Sequence, residues 1–582
     1  MQATPGPPEA LVKLAGALLA SGRADEAAAS YARALRIEET AESIDGFVRS
    51  LTGAELRVVD SGVREMAIRA LATPWARPAD IAAACIRIVA SDVETRACVD
   101  RAWNAWPARL AGRDLWPDRA RDIVFGDVLL RTLLESTPVC DLNMERFLTM
   151  TRHALLEDAD FGAKSVCEVA FGCALARQCF INDYVFSCTE RETERAQAIR
   201  DRLVASLSRG DALSPMTIAV VAAYFPLLSV PHAEALLSRA WGEPIAGLLT
   251  QQLREPADER NARGGIPRLT SIDDDVSLRV RHQYEEHPYP KWVKVPRVVA
   301  AGSGNPNADV HGSLRPGGRL DQTEALDILV AGCGTGRESI EVGQLFPRAR
   351  VLAVDLSLTS LAYAARKAEE LRVGNVVHAQ ADINKVGCLG KRFDIIYSVG
   401  VLHHLADPVS GWRSLRSVLK PGGHMLVGLY SERGRRDVVA AKAFIAERGY
   451  TSAPADIRRC RQELMSVERG ARFSSLARRA DFYVTGECRD LLFHVQEHRF
   501  TLRDLREHIC ALGLRFDGFV LSDPMAIRYA ENHAGLADPE DWDRFEARFP
   551  DAFAGMYLFW VQEGRARGPA DPRERQSNPD FA

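Results

Sequence analysis

Hydrophobic positions along this chain change their period once, near the middle. From Leu11 to about Arg254 they recur every three to four residues, the spacing of amphipathic helices. Ile81-Ala-Ala-Ala-Cys-Ile-Arg-Ile-Val-Ala, Ile123-Val-Phe-Gly-Asp-Val-Leu-Leu and Ile218-Ala-Val-Val-Ala-Ala-Tyr-Phe each supply one apolar helix face. Pro74, Pro78, Pro107, Pro117 and Pro138 fall between such runs, where a proline opens or ends a helix. From Leu326 onward, short apolar runs bounded by turn residues alternate with helical patterns. Strands are expected at Leu326–Ala331, Arg350–Val354, Asn375–His378, Phe393–Ser398 and His424–Tyr430, with two more near Phe516–Leu521 and Met556–Val561. Strand–helix alternation of this kind predicts a parallel α/β sheet.

The organisation that follows is a helical domain over residues 1–255, a linker and cleft segment over 256–320, an α/β domain over 321–562, and a disordered tail over 563–582. Residues 1–7 read as a disordered lead and 300–320 as a mobile loop. Between Leu11 and Ile37, two short helices separated by Gly22-Arg23-Ala24-Asp25 resemble one tetratricopeptide unit, with no clear second copy after it. Residues 431–500 return to a helical pattern directly after the fifth strand. This insertion falls over the carboxyl edge of the sheet, where ligands of open α/β sheets bind.

The candidate chemistry starts where the first strand runs into Gly332-Cys333-Gly334-Thr335-Gly336. Glycines let the chain turn sharply and let a ligand lie against its backbone. The spacing is G-x-G-x-G, not the G-x-G-x-x-G of dinucleotide sites. Asp355 ends the second strand, where a carboxylate can accept both hydroxyls of a ribose. Asp382-Ile383 follows the third, where an acid beside an aliphatic residue suits an adenine. After the fourth strand comes Val399-Gly400-Val401-Leu402-His403-His404-Leu405, then a helix, then Leu419-Lys420-Pro421-Gly422-Gly423 before the fifth strand.

This order of motifs resembles a class I S-adenosylmethionine-dependent methyltransferase. The resemblance implies a Rossmann-like seven-stranded sheet whose last two strands are antiparallel to each other. The whole chain then reads as an N-terminal all-α, tetratricopeptide-like domain joined to a C-terminal α/β methyltransferase domain with a helical insertion after its fifth strand. The implied cofactor is S-adenosyl-L-methionine, held by Tyr284, Gly332, Cys333, Gly334, Gly336, Asp355, Leu356, Asp382, Ile383, Ser398 and Val399. Tyr284 enters through Arg281-His-Gln-Tyr-Glu-Glu-His-Pro-Tyr-Pro-Lys-Trp-Val, a segment with Trp292 and a tyrosine between two prolines, which either folds over the cofactor cleft or straps the two domains together.

Methyl transfer needs a base only when the acceptor arrives protonated. The expected catalytic group is His403 together with His494, Glu497 and His498 of the insertion; His404 also sits where the family carries a histidine pair. Read as a helix, His494 and His498 stand one turn apart, a metal-ligand spacing, but no third ligand is evident and no metal is expected. Arg489 and Asp490 could meet a charged substrate group or pair with each other. Acceptor choice is expected to reside in residues 431–500.

Composition narrows the partners. With 582 residues, a net charge of −4 and 26% charged residues, wholesale electrostatic binding of nucleic acid is not expected. Twelve cysteines occur without a C-x-x-C pair, the usage of a cytoplasmic protein with free thiols. No apolar run approaches the roughly 18 residues that span a membrane, and the N-terminus shows no signal-peptide pattern. The acceptor is expected to be a peptide or protein recognised through the helical domain. The alternatives are a small-molecule N- or O-methyltransferase whose helical domain makes a homodimer, and a non-catalytic helical scaffold with a cofactor-binding domain.

Overall fold

A computed structural model describes residues 7–564 apart from 57–58, 118, 161–164, 298–313, 316–317, 320–324, 467–472, 474, 522–524, 526–527 and 530–538. The lead, most of the loop over 300–320 and nearly all of the tail therefore lie outside the described residues.

From Pro8–Ala20 to Asp275–Glu286 the described chain forms helices and no strand. The starts are set locally. Thr40, Asp60, Asp92, Asp127, Asp141, Ser165 and Thr189 each accept a backbone N–H of the helix they precede, which satisfies one of the donors that a helix start leaves over. Such a cap splits one expected face. Ile123 to Leu130 belongs to two helices, Ala120–Gly126 and Val128–Ser136, because the Asp127 carboxylate accepts from the Leu130 N–H and starts a new helix. The apolar faces close on one core that includes Phe47, Leu71, Ile88, Phe125, Leu130, Phe147, Phe171 and Ile218.

The second half is a seven-stranded mixed sheet: β1 Asp327–Ala331, β2 Arg350–Asp355, β3 Val376–Gln380, β4 Phe393–Val399, β5 Leu419–Leu429, β6 Leu514–Phe519 and β7 Tyr557–Glu563. In space the order is β3-β2-β1-β4-β5-β7-β6. The first five strands are parallel, and β7 lies antiparallel to both β5 and β6. β5 starts earlier than its apolar run suggests. Phe393 pairs with Leu419 and Ile395 with His424, so Lys420–Gly423 loops out as a bulge within the strand instead of preceding it. The central strands are buried along nearly their whole length, since helices cover both faces of a parallel sheet.

The insertion after β5 carries helices Arg436–Arg448, Pro454–Ser466 and Thr485–Phe493 around a core of its own that includes Val438, Ile457, Leu476, Phe482 and Leu491. Its two ends are stitched together, with the Phe500 N–H donating to the Tyr430 carbonyl and the Glu432 N–H to the Phe500 carbonyl. The expected helix over His494–His498 is absent. Phe493 is the last helical residue, and His494 follows with φ −58° and ψ 137°. From there the chain runs extended along the ends of β4 and β5, where the His498 N–H donates to the His403 carbonyl.

The segment between the helices and the sheet crosses the carboxyl edge. Leu269 and Gln380 exchange backbone bonds with each other's neighbourhood, Leu269 N–H to the Gln380 carbonyl and Gln380 N–H to the Pro267 carbonyl. Helix Asp275–Glu286 places the Glu285 carboxylate on the N–H groups of Leu358 and Thr359, at the start of the helix after β2. Trp292 is buried, donates to Thr335 and packs edge-on against Tyr363. Among the described residues, buried ion pairs join the halves at Arg77 with Glu341, 2.6 Å, and at Arg461 of the insertion with Glu145, 2.8 Å.

Candidate functional site

The glycine turn is built by backbone geometry alone. Gly332, Gly334 and Gly336 all have φ between +51° and +84°, a region that disfavours any side chain. At Gly334 a Cβ would also sit 2.4 Å from the Tyr289 carbonyl oxygen, which instead accepts the Thr335 N–H. The turn is thus closed from above by the crossing segment, and Thr335 Oγ1 donates to the Pro290 carbonyl. The Asp355 carboxylate braces it from the side, accepting the N–H of Gly334 at 2.9 Å and that of Ser357 at 2.9 Å. Each carboxylate oxygen keeps a lone pair for a ligand hydroxyl.

A cavity of about 220 Å³ opens over this turn. Tyr284, Gly332, Cys333, Gly334, Asp355, Leu356, Asp382, Ile383 and Val399 of the expected cofactor set line it. Gly336 lies one step back, at the start of helix Arg337–Leu345, and Ser398 is fully buried within β4. Asp382 is buried; its Oδ1 accepts the Asn384 N–H while Oδ2 has no partner. Burial, with Asp355 beside it, pushes the Cys333 thiol well above the usual thiol range, so this cysteine packs and does not react.

The far wall was only partly foreseen. It consists of Tyr284, Tyr289, His404, Tyr430 and Asp490. The Tyr284 hydroxyl donates to Asp490 Oδ1 at 2.6 Å and stands 3.3 Å from His494 Nε2. His404 Nδ1 is 2.8 Å from the Gln496 carbonyl. A carbonyl only accepts, so Nδ1 carries the proton and Nε2 holds the lone pair. Burial lowers the His404 pKa below the ordinary histidine value, with Asp490 and the Gln496 bond partly opposing, so the ring is neutral at pH 7.

None of the four expected catalytic side chains lines the cavity. His403 is fully buried, its ring stacked on Tyr430 with centroids 3.6 Å apart and neither nitrogen bonded. His494 stacks behind His404 at 3.7 Å. His498 is bonded to Gln496. Glu497 is held by Arg435 at 2.9 Å and Lys442 at 2.7 Å, with the Arg435 guanidinium lying 3.7 Å over the Tyr430 ring. Glu497 therefore positions Tyr430 through Arg435. Glu497→Gln is expected to lower stability by about 1–3 kcal/mol by leaving buried Arg435 and half-buried Lys442 underpaired, with cofactor affinity unchanged, as chemical denaturation beside calorimetry would register.

His404, Asp490 and His494 form the candidate metal cluster among the described residues. Hydrogen bonding works against it. His494 Nδ1 accepts the Gln496 N–H, so the neutral ring keeps its proton on Nε2, the atom that faces Tyr284 and Asp490. One usable histidine and one carboxylate fall short of the three protein ligands that zinc sites supply.

Residues 328–423 match the family described as "Methyltransferase domain". An uncharacterised protein of Synechococcus sp. is 34% identical over 221 residues, 35% of this chain and 50% of that one. Phosphoethanolamine N-methyltransferase 1 of Triticum aestivum is 29% identical over 132 residues, 23% of this chain and 26% of that one. The structure of PKMT2 from Rickettsia typhi overlays with a TM-score of 0.35 at 14% identity, covering 46% of this chain and 53% of that one. The chain covers half or less of the length of these curated relatives. With the motifs and the sheet order, the family match identifies residues 328–423 as a methyltransferase domain of the class I, S-adenosylmethionine-dependent kind, and the cofactor it implies is S-adenosyl-L-methionine.

The pocket suits that cofactor. Asp355 faces where a ribose would lie, and Asp382 offers a buried, unpartnered oxygen with Ile383 beside it. Asp355→Ala is expected to weaken S-adenosylmethionine binding at least tenfold in calorimetry, since each hydrogen bond to a charged group is worth roughly 1.5–3 kcal/mol. The loss is compounded by freeing the Gly334 and Ser357 N–H groups.

Proposed function

We propose that this chain methylates an amine carried by a peptide or protein, using S-adenosylmethionine. The supporting observation is the wall opposite the glycine turn, where the Asp490 carboxylate is fixed by Tyr284 and set among three tyrosine rings. A carboxylate and aromatic faces attract an ammonium group. When bound, the cofactor supplies a methyl group already activated on a sulfonium. The chain's part is to align the acceptor and relieve it of a proton. Asp490 and Tyr284 orient the ammonium, and the His404 Nε2 lone pair takes the proton so that a nitrogen lone pair can attack. Closure by Tyr289 and Pro290 from above keeps water from the reacting atoms.

In this reading the helical, tetratricopeptide-like half of residues 1–255 recognises the macromolecule that bears the amine, and the insertion over 431–500 sets the choice of acceptor. A cytoplasmic setting fits the twelve free cysteines. No described helix is long and apolar enough to cross a membrane. A second reading is a small-molecule amine as acceptor, favoured by the relative named phosphoethanolamine N-methyltransferase, whose match falls in this chain. Tritiated cofactor with cell lysate tests both. Base-stable label in the macromolecular fraction is expected. Label in the small-molecule fraction selects the second reading, and base-labile label rules out nitrogen.

A further inference from the structure

We propose that Glu338 is the anchor for the ammonium group on the amino-acid tail of the cofactor. This role rests on the cofactor assignment above and adds a residue to it.

Glu338 is the second residue of helix Arg337–Leu345, which leaves the glycine turn, and it lines the cavity. Its Oε1 is closed off from solvent and has no hydrogen-bond partner. Among the described residues its other oxygen makes no ion pair, although Glu341, one turn along the same helix, is gripped by Arg77 at 2.6 Å. A carboxylate placed against low-dielectric surroundings without a partner is costly, and a ligand that brings the partner recovers that cost. The position fits the tail. The groups suited to the ribose and the base follow β2 and β3, at Asp355 and Asp382. The opposite end of the ligand is left to the residues that follow β1 and β4, and Glu338 is the acid among these that the cavity exposes. Arg337 beside it also lines the cavity and suits the carboxylate of the same tail.

The charges around Glu338 give the interaction a pH signature. Burial and the Glu341 charge raise its pKa to about 7, against the pull of Arg337 and Arg77. Tyr397 of β4 and Cys333 of the turn face it as neutral groups, each pushed up by its own burial. The free protein near neutrality therefore holds part of its Glu338 protonated. An ammonium selects the ionised form, so binding expels that proton. Affinity falls as pH drops below about 7 and levels off above it.

Calorimetry with three ligands tests this: S-adenosylmethionine, S-adenosylhomocysteine with the same tail, and 5′-methylthioadenosine with none. Glu338→Gln is expected to weaken the first two by about tenfold or more, the loss of one charge-assisted bond, and to leave the third within about twofold. Near about pH 6.5, repeated in buffers of different ionisation enthalpy, the unaltered chain should release a proton fraction with S-adenosylhomocysteine and none with methylthioadenosine; the variant should release none with either. Unchanged affinities, an equal loss for all three ligands, or the same proton release from the variant would each overturn the role. If the unaltered chain binds none of the three, the cofactor assignment falls and takes this role with it.

Discussion

Replacing Arg461 with leucine is expected to lower the unfolding free energy by about 3–5 kcal/mol, the cost of stranding one charge of a buried pair. Arg461 is wholly buried. Its guanidinium donates to Glu145 at 3.2 and 2.8 Å, to the Val185 carbonyl at 3.3 Å and to the Phe482 carbonyl, and it lies 4.7 Å over the Phe482 ring. Burial works against this charge, and Glu145 outweighs it, so the guanidinium stays protonated. Glu145 is itself only 2% exposed. Removing arginine leaves that buried carboxylate without its ion-pair partner. The double change Arg461→Leu with Glu145→Leu should recover most of the loss, because the buried charge goes with its partner. Guanidinium-chloride unfolding of the full chain reads both. A single variant that unfolds at the same midpoint as the parent would show the pair to be open to water. The pair also reaches from the insertion to the helical half, so its rupture should loosen the wall that carries Asp490.

How much of this was legible in the sequence depends on how local each feature is. The strands, the glycine turn, Asp355 and Asp382 follow from neighbouring residues: an apolar run, then glycines whose positive φ the turn demands, then an acid at a strand end. The sheet order adds β7 between β5 and β6, which the pattern of a strand pair near the C-terminus allows. The far wall is different. Tyr284 and Asp490 meet across 206 residues of chain, and His404 is fixed by a carbonyl 92 residues away. No spacing rule connects them. The metal-ligand spacing of His494 and His498 assumed a helix, and the chain leaves the helix at Phe493 to run along the strand ends. Glu497 entered the candidate set as a polar residue of the insertion over the carboxyl edge; Arg435 and Lys442, the cations that occupy it, lie more than fifty residues earlier. Tyr289 was visible as an aromatic between prolines, but its carbonyl, not its ring, closes the turn. Glu338 carried no sequence signal beyond an acid in a helix's first turn, where acids are common for reasons of helix dipole alone.

His404→Asn is expected to lower kcat by about 10²- to 10⁴-fold, the range for loss of a positioned base, with S-adenosylmethionine affinity within about twofold of the parent. Asparagine is the informative change. Its amide N–H can still donate to the Gln496 carbonyl, as Nδ1 does, so the local fold keeps its bond while the lone pair at Nε2 is lost. The pH dependence has a definite sign. The base works unprotonated, and burial lowers the His404 pKa from the ordinary value near 6.5, so the acid limb of kcat should fall below the usual histidine range. At saturating cofactor, kcat is freed from the Glu338 titration, which acts on cofactor affinity and so appears in the KM for the cofactor. A parent enzyme whose kcat is flat from pH 7 to 8 and falls only at lower pH, beside an asparagine variant with no such limb, fits His404 as the proton acceptor. Full turnover in the variant would move that role to Tyr284, whose hydroxyl is already committed to Asp490; burial and the Asp490 charge hold its pKa well above the ordinary tyrosine value, which would demand a far more alkaline optimum.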